Sequence, residues 1–89
     1  MRTVRRTSAF KKDYKRESKS SADLESILKP VIAALMVGRA LPAKLSDHPL
    51  SGKWKGFRDC HVKPDLVLIY SVTEDELVLA RIGSHSELF

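Results

Sequence analysis

Two consecutive runs, LVLIYSV (66–72) and ELVLARI (76–82), carry apolar side chains on both faces of an extended chain. Successive residues of a strand point to opposite sides of a sheet. Leu66, Leu68 and Tyr70 therefore face one way and Val67 and Ile69 the other, while Leu77 and Leu79 alternate with Val78 and Ala80. Both faces need a cover. With helices on one side, the other must be closed by the sheet curling over a second small core, or be left as an apolar strip for a partner.

The first half of the chain supplies the helices. Met1 to Arg6 is expected to form a short strand, after which Thr7 or Ser8 caps a helix with Phe10 and Tyr14 four residues apart on one face and basic residues on the other. Ser18 to Ser21 interrupts this pattern. Asp23 or Ser21 then opens a second helix in which Leu24, Ile27, Leu28, Val31 and Leu35 repeat at helical spacing. Pro30 lies inside that stripe, but the stripe stays in phase on both sides, so one bent helix is expected in preference to two. Gly38 and Pro42 close it, and the stretch to Leu50, containing SDHPL, has no period and reads as a loop. FRDCHV (57–62) starts the strands. The turn-formers KPD and TED separate it from the two apolar runs, which makes a three-strand antiparallel meander the economical arrangement. The fold class is α+β: one domain over residues 1–89, with an N-terminal strand and two N-terminal helices packed on a small antiparallel sheet.

Charge narrows the function. The 89 residues hold 16 Lys and Arg against 11 Asp and Glu, a net charge of +5. The excess is concentrated: Arg2, Arg5, Arg6, Lys11, Lys12, Lys15, Arg16 and Lys19 face only Asp13 and Glu17 in the first twenty residues. Such a patch favours polyanionic partners such as nucleic acid, an anionic membrane or an acidic protein segment. The lone cysteine, Cys60, can form no internal disulfide, and no signal peptide or bilayer-spanning run is visible, so a cytoplasmic setting without a membrane partner is expected. Cys60 itself reads as a small buried hydrophobe.

All three histidines, His48, His61 and His85, fall in the second half at loop or strand ends, with Asp47, Asp59 and Asp65 near them in sequence. Arg81 shares an alternation phase with Gly83 and His85 if the last strand stays extended. No close pair of CxxC or HxxxH type marks a structural zinc site, and neither a phosphate-cradling glycine loop nor a GxSxG elbow is present. What remains is acid–base chemistry on an anionic substrate, without metal or other cofactor. Cleaving RNA through its own 2′-OH requires a base for that hydroxyl, an acid for the departing 5′ oxygen and a cation for the charge gathering on phosphorus. Histidine, aspartate and arginine meet these needs. Phe89, a free ring at the chain end, can stack on a base, or fold back to close the core. Trp54, between Lys53 and Lys55, can offer a second platform or plug the core, and Lys53, Lys55 and Arg58 are candidate RNA contacts.

DHPLSGKWKGFRDCHVKPDLVLIY followed by RIGSHSELF resembles the YafQ-like branch of the RelE-type bacterial toxins, the ribonuclease halves of type II toxin–antitoxin pairs. The resemblance covers the whole chain and is most specific from Asp47 to Phe89. It implies cleavage of messenger RNA in the ribosomal decoding site, growth arrest, and neutralisation by a cognate antitoxin. It also implies an active site at His48 of DHPL, His61 of the RDxH segment, Asp65 of the following PD, Arg81 and His85 around the terminal GxH, and Phe89 of the final LF. Pro30 departs from the family pattern, which bears on the helix and not on the site. Two other classes stay open on sequence grounds: a non-nuclease toxin of the same fold, such as a gyrase poison, and a basic RNA- or protein-binding module without catalysis.

Overall fold

The computed structural model describes residues 1–89. In chain order the elements are β1 (Thr3–Arg6), α1 (Ser8–Ser20), α2 (Leu24–Met36), β2 (His48–Pro49), β3 (Arg58–Lys63), β4 (Leu66–Val72), β5 (Glu76–Gly83) and α3 (His85–Leu88). The five strands form one sheet in the order β1-β5-β4-β3-β2. The meander β3-β4-β5 is antiparallel as expected, but β1 runs parallel to β5, so the sheet is mixed. The loop expected through SDHPL also contributes to it, as His48 and Pro49 pair with Asp59 and Arg58 to make a two-residue edge strand.

Local chemistry explains the helices. Thr7 caps α1, its Oγ1 accepting the Phe10 N–H at 3.0 Å. Phe10 is buried, and its ring lies 6.0 Å from that of Tyr14. Asp23 precedes α2, which continues through Pro30 as one helix. Proline removes the bond to the carbonyl four residues back, that of Ser26. Both Pro30 and Ser26 are exposed, so water can satisfy the freed oxygen. The inward stripe Leu24, Leu28, Val31 and Leu35 packs with Phe10 against Cys60, Leu66, Leu68, Tyr70, Leu77, Leu79 and Ile82. Cys60 is fully buried, and burial pushes its thiol up to about 12, which makes it a packing residue and not a nucleophile.

The opposite face has its own cover. Val67, Ile69, Ala80 and Leu88 form a second buried cluster, flanked by the partly buried Leu50, Trp54 and Phe57. Of the two outcomes left open by the doubly apolar strands, the second core is the one realised. No uncovered strip remains over Val67 and Ile69, both 0% exposed. Trp54 belongs to this cluster, in edge contact with Phe57 at 5.3 Å, so it is a plug. Leu88→Ala should therefore lower stability by about 2 to 5 kcal/mol, read as a reduced urea midpoint at unchanged slope, because the residue is the lid of this cluster.

Candidate active site

The register lays the candidate residues out in rows. His48 on β2 is opposite Asp59 on β3, Asp59 opposite Ile69 on β4, and Ile69 opposite Arg81 on β5. A second row runs from His61 through Val67 to Gly83. Residues directly opposite share a face, so His48, Asp59, His61 and Arg81 all belong to the face of the smaller core, Arg81 at the edge strand where its side chain reaches α1. Strands stand about 4.8 Å apart, which sets the width of the site from His48 to Arg81 at roughly 14 Å. A bulge in β5 helps to place Arg81. Tyr70 pairs with Leu79 and Ile69 with Arg81, so Ala80 is the extra residue.

At one end of the first row, the His48 ring is tied down on one side. Its Nδ1 lies 2.7 Å from the Ser46 carbonyl and 3.1 Å from Asp59 Oδ1. A carbonyl oxygen only accepts, so Nδ1 carries the proton and the neutral ring keeps its lone pair on Nε2. Asp59 is buried, and its Oδ1 receives no well-aligned hydrogen bond. It stands beside a ring that is itself half exposed.

The other end is the chain terminus. β5 stops at Gly83, so His85 does not follow Arg81 in strand alternation; it opens α3 instead. Ser84 and Glu87 form a capping box: Ser84 Oγ accepts the Glu87 N–H at 3.3 Å, and Glu87 Oε1 accepts the Ser84 N–H at 2.9 Å. These bonds hold the Glu87 carboxyl below its usual range. Within this single turn Leu88 points into the small core and Phe89 does not. Phe89 is 46% exposed, and its ring lies 4.7 Å from that of His85. Gly83 is required by crowding, since a Cβ there would stand 3.0 Å from Arg16 Nη2 and 3.2 Å from Glu87 Oε1.

Asp65 occupies the Pro64–Asp65 turn joining β3 to β4, exposed, and shares a hollow of about 180 Å³ with Ser84, Lys63 and Glu17. Lys53 and Lys55 are exposed beside the Trp54 turn. Arg58 is placed elsewhere. It lies opposite Tyr70, on the helix-facing side, and donates through Nε to Asp47 at 3.2 Å, while the Tyr70 hydroxyl donates to the same oxygen. The pair ties the loop before β2 to the sheet. Burial, with the Asp47 carboxylate beside it, pushes the Tyr70 hydroxyl well above its usual range.

Asp13 was not among the expected site residues. It is an acid in a basic helix, 2% exposed, and all its acceptor positions are in use. Oδ2 takes Arg81 Nε at 2.6 Å and the Ile82 N–H at 3.2 Å; Oδ1 takes Arg81 Nη2 and Arg16 Nη1, both at 3.1 Å. Burial alone would raise this carboxyl. The hydrogen bonds from Arg81 and Ile82, with the charges of Arg81 and Arg16, outweigh it and hold the group below the usual carboxylate range. Its position three residues after Phe10, on the buried face of α1, was the available signal.

The small basic α+β frame, with histidines along one face of its sheet, is that of a class of bacterial toxins. Residues 2–89 match the bacterial toxins of type II toxin–antitoxin systems called YafQ, and the chain belongs to that family. The mRNA interferase toxin YafQ of Escherichia coli K12 is 38% identical over 90 residues, covering 99% of this chain and 96% of that protein. A copper-bound mutant toxin from Helicobacter pylori superposes with a TM-score of 0.94 at 45% identity over the whole of both chains. The E. coli DinJ–YafQ toxin–antitoxin complex does so at 0.88 and 40% identity, covering 99% of this chain and 97% of that one.

The depressed Asp13 carboxyl has a consequence for acid stability. A carboxyl lower in the folded than in the unfolded state adds stability that is complete above its unfolded value, about 3.9, and is lost as pH falls through the folded value. Asp13→Asn should therefore melt well below wild type at pH 7, with the gap narrowing as pH falls below about 4. Melting curves of the two proteins across that range check it.

Proposed function

We propose that this mRNA interferase toxin cleaves messenger RNA by directing the 2′-OH of one nucleotide onto its own 3′-phosphate, with His48 as base, His85 as acid and Arg81 gripping the phosphate. The observation that carries this is the pair of sheet rows, which put His48, His61 and Arg81 on one face and end it at the His85–Phe89 turn. Nδ1 of His48 is committed to the Ser46 carbonyl, so Nε2 is the nitrogen free to take the hydroxyl proton, and Asp59 faces the ring that then becomes charged. His61 and Asp65 complete the proton handling between the two ends. Phe89 stacks on a base from its exposed position, and Lys53 and Lys55 follow the RNA backbone. A substrate seated in the ribosomal decoding site suits so open a surface, because the ribosome then supplies the second wall. The setting is the cytoplasm; no helix is long and apolar enough to cross a membrane.

The partner is a cognate antitoxin, as in the DinJ–YafQ complex of the relative. The second core leaves no apolar strip on the sheet for it, so charge is the basis for recognition. The exposed Lys11, Lys12, Lys15 and Lys19 of α1 suit an acidic antitoxin segment. Reversing the first three charges should weaken the complex, as measured by calorimetry.

Expression of the chain alone should stop growth, and His48→Gln or His85→Gln should relieve the arrest and slow cleavage by about 100-fold or more without loss of fold. Products carrying a 2′,3′-cyclic phosphate or 3′-phosphate with a 5′-hydroxyl, formed at full rate in excess EDTA, are expected. Loss of cleavage on chelation, restored by copper or zinc, would instead assign a metal. Phe89→Tyr or Phe89→Trp should keep most activity. Phe89→Ala should lose about 5- to 150-fold in cleavage, the equivalent of 1 to 3 kcal/mol of stacking, at nearly unchanged melting temperature.

A further inference from the structure

We propose that Asp13, on the first helix, is the positioning residue of the active-site arginine: it clamps one edge of the Arg81 guanidinium so that the opposite edge is presented to the scissile phosphate. This rests on the preceding reading of Arg81 as the phosphate grip. An arginine on a sheet face has four flexible torsions, and a phosphate pays for each one it must freeze. Here they are frozen in advance. Nε and Nη2 donate to the two oxygens of one buried carboxylate at 2.6 and 3.1 Å, the side-on, two-point geometry that fixes the guanidinium plane as well as its position. Nη1 has no partner within the protein, and 29% of the Arg81 side chain is exposed. One nitrogen and one remaining Nη2 hydrogen are thus left for an anion.

The clamp is itself well supported. β1 pairs with β5 only as far as Leu79, so the backbone beyond is an open edge. Asp13 fills it by accepting the Ile82 N–H, and Arg16 braces the same carboxylate while reaching Glu87 of the terminal turn at 3.4 Å. The carboxylate is therefore held from the sheet and from its own helix, and cannot follow Arg81 if the latter moves. A purely structural Asp13 would need only the Ile82 and Arg16 bonds. The two bonds to Arg81 couple it to the phosphate site.

The test is a double-mutant cycle on single-turnover cleavage of ribosome-bound mRNA at saturating toxin, using Asp13→Asn, Arg81→Ala and the pair, each first checked for cooperative unfolding above the assay temperature. Asp13→Asn should slow cleavage by about 10- to 100-fold with little change in ribosome affinity, and should add nothing once Arg81 is gone. Exchange of the Arg81 Nε–H, followed by nitrogen-15 NMR, should be slow in wild type and fast in Asp13→Asn. Should Asp13→Asn fail to fold, Asp13→Glu keeps the charge and displaces the clamp by one methylene, and the same loss is expected. Wild-type cleavage by a folded Asp13 variant, or losses that multiply in the double mutant, would overturn the inference. Wild-type cleavage by Arg81→Ala would instead overturn the phosphate role on which it rests.

Discussion

The open edge of β5 is the constraint around which the molecule is arranged. Its neighbour β1 is four residues long and ends opposite Leu79, yet β5 runs on to Gly83. Unpaired backbone groups at a sheet edge must find partners or water. Helix α1 supplies them. The Thr7 N–H donates to the Leu79 carbonyl, Thr7 Oγ1 to the Ala80 carbonyl, and Asp13 accepts the Ile82 N–H, so the edge is completed partly by side chains of a helix. Thr7 both caps that helix and starts the completion, which fixes α1 against the sheet in one register.

From that arrangement follows a division between the faces of the sheet. The helix side holds a twelve-residue core and gives the fold its stability, while the other side has a hydrophobic cluster of only four buried residues and is closed by the last turn of the chain. A small cluster leaves the polar residues around it near solvent, where a substrate can reach them, yet Val67 and Ile69 beneath are fully buried and keep the strands rigid. The terminal turn serves both needs through neighbouring residues, Leu88 turned inward and Phe89 outward. Its capping box satisfies the backbone of a helix too short to persist alone.

What the sequence discloses follows from how far apart the interacting residues lie. The two long helices and the strands of the meander depend on spacings of two to four residues and are legible in the chain, whereas the two-residue β2 is too short to show a period and reads as loop. The resemblance from Asp47 to Phe89 likewise marks a family whose histidines the register then arranges. The parallel pairing of β1 with β5 spans more than seventy residues and has no local signature, so an antiparallel sheet was the natural expectation. Arg58 shows a partner that the sequence does not announce. As a cation beside RNA-like motifs it reads as a contact, but its strand phase turns it to the helix side, where Asp47 holds it. Asp13 looks like a minor acid in a basic helix because its partner is 68 residues away.

The same helix carries two charge systems that must not interfere. On its outer face the lysines are exposed and unpaired, free to meet a polyanion, and the salt of the medium screens them over about 8 to 10 Å. On its inner face one carboxylate is enclosed by two arginines and a backbone N–H, in surroundings where screening is weak and geometry dominates. A partner that covers the lysines changes the outer potential but need not touch the inner pairs. If the outer lysines meet the antitoxin and Arg81 grips the phosphate, as proposed, binding and cleavage can vary separately, although one helix of thirteen residues holds both.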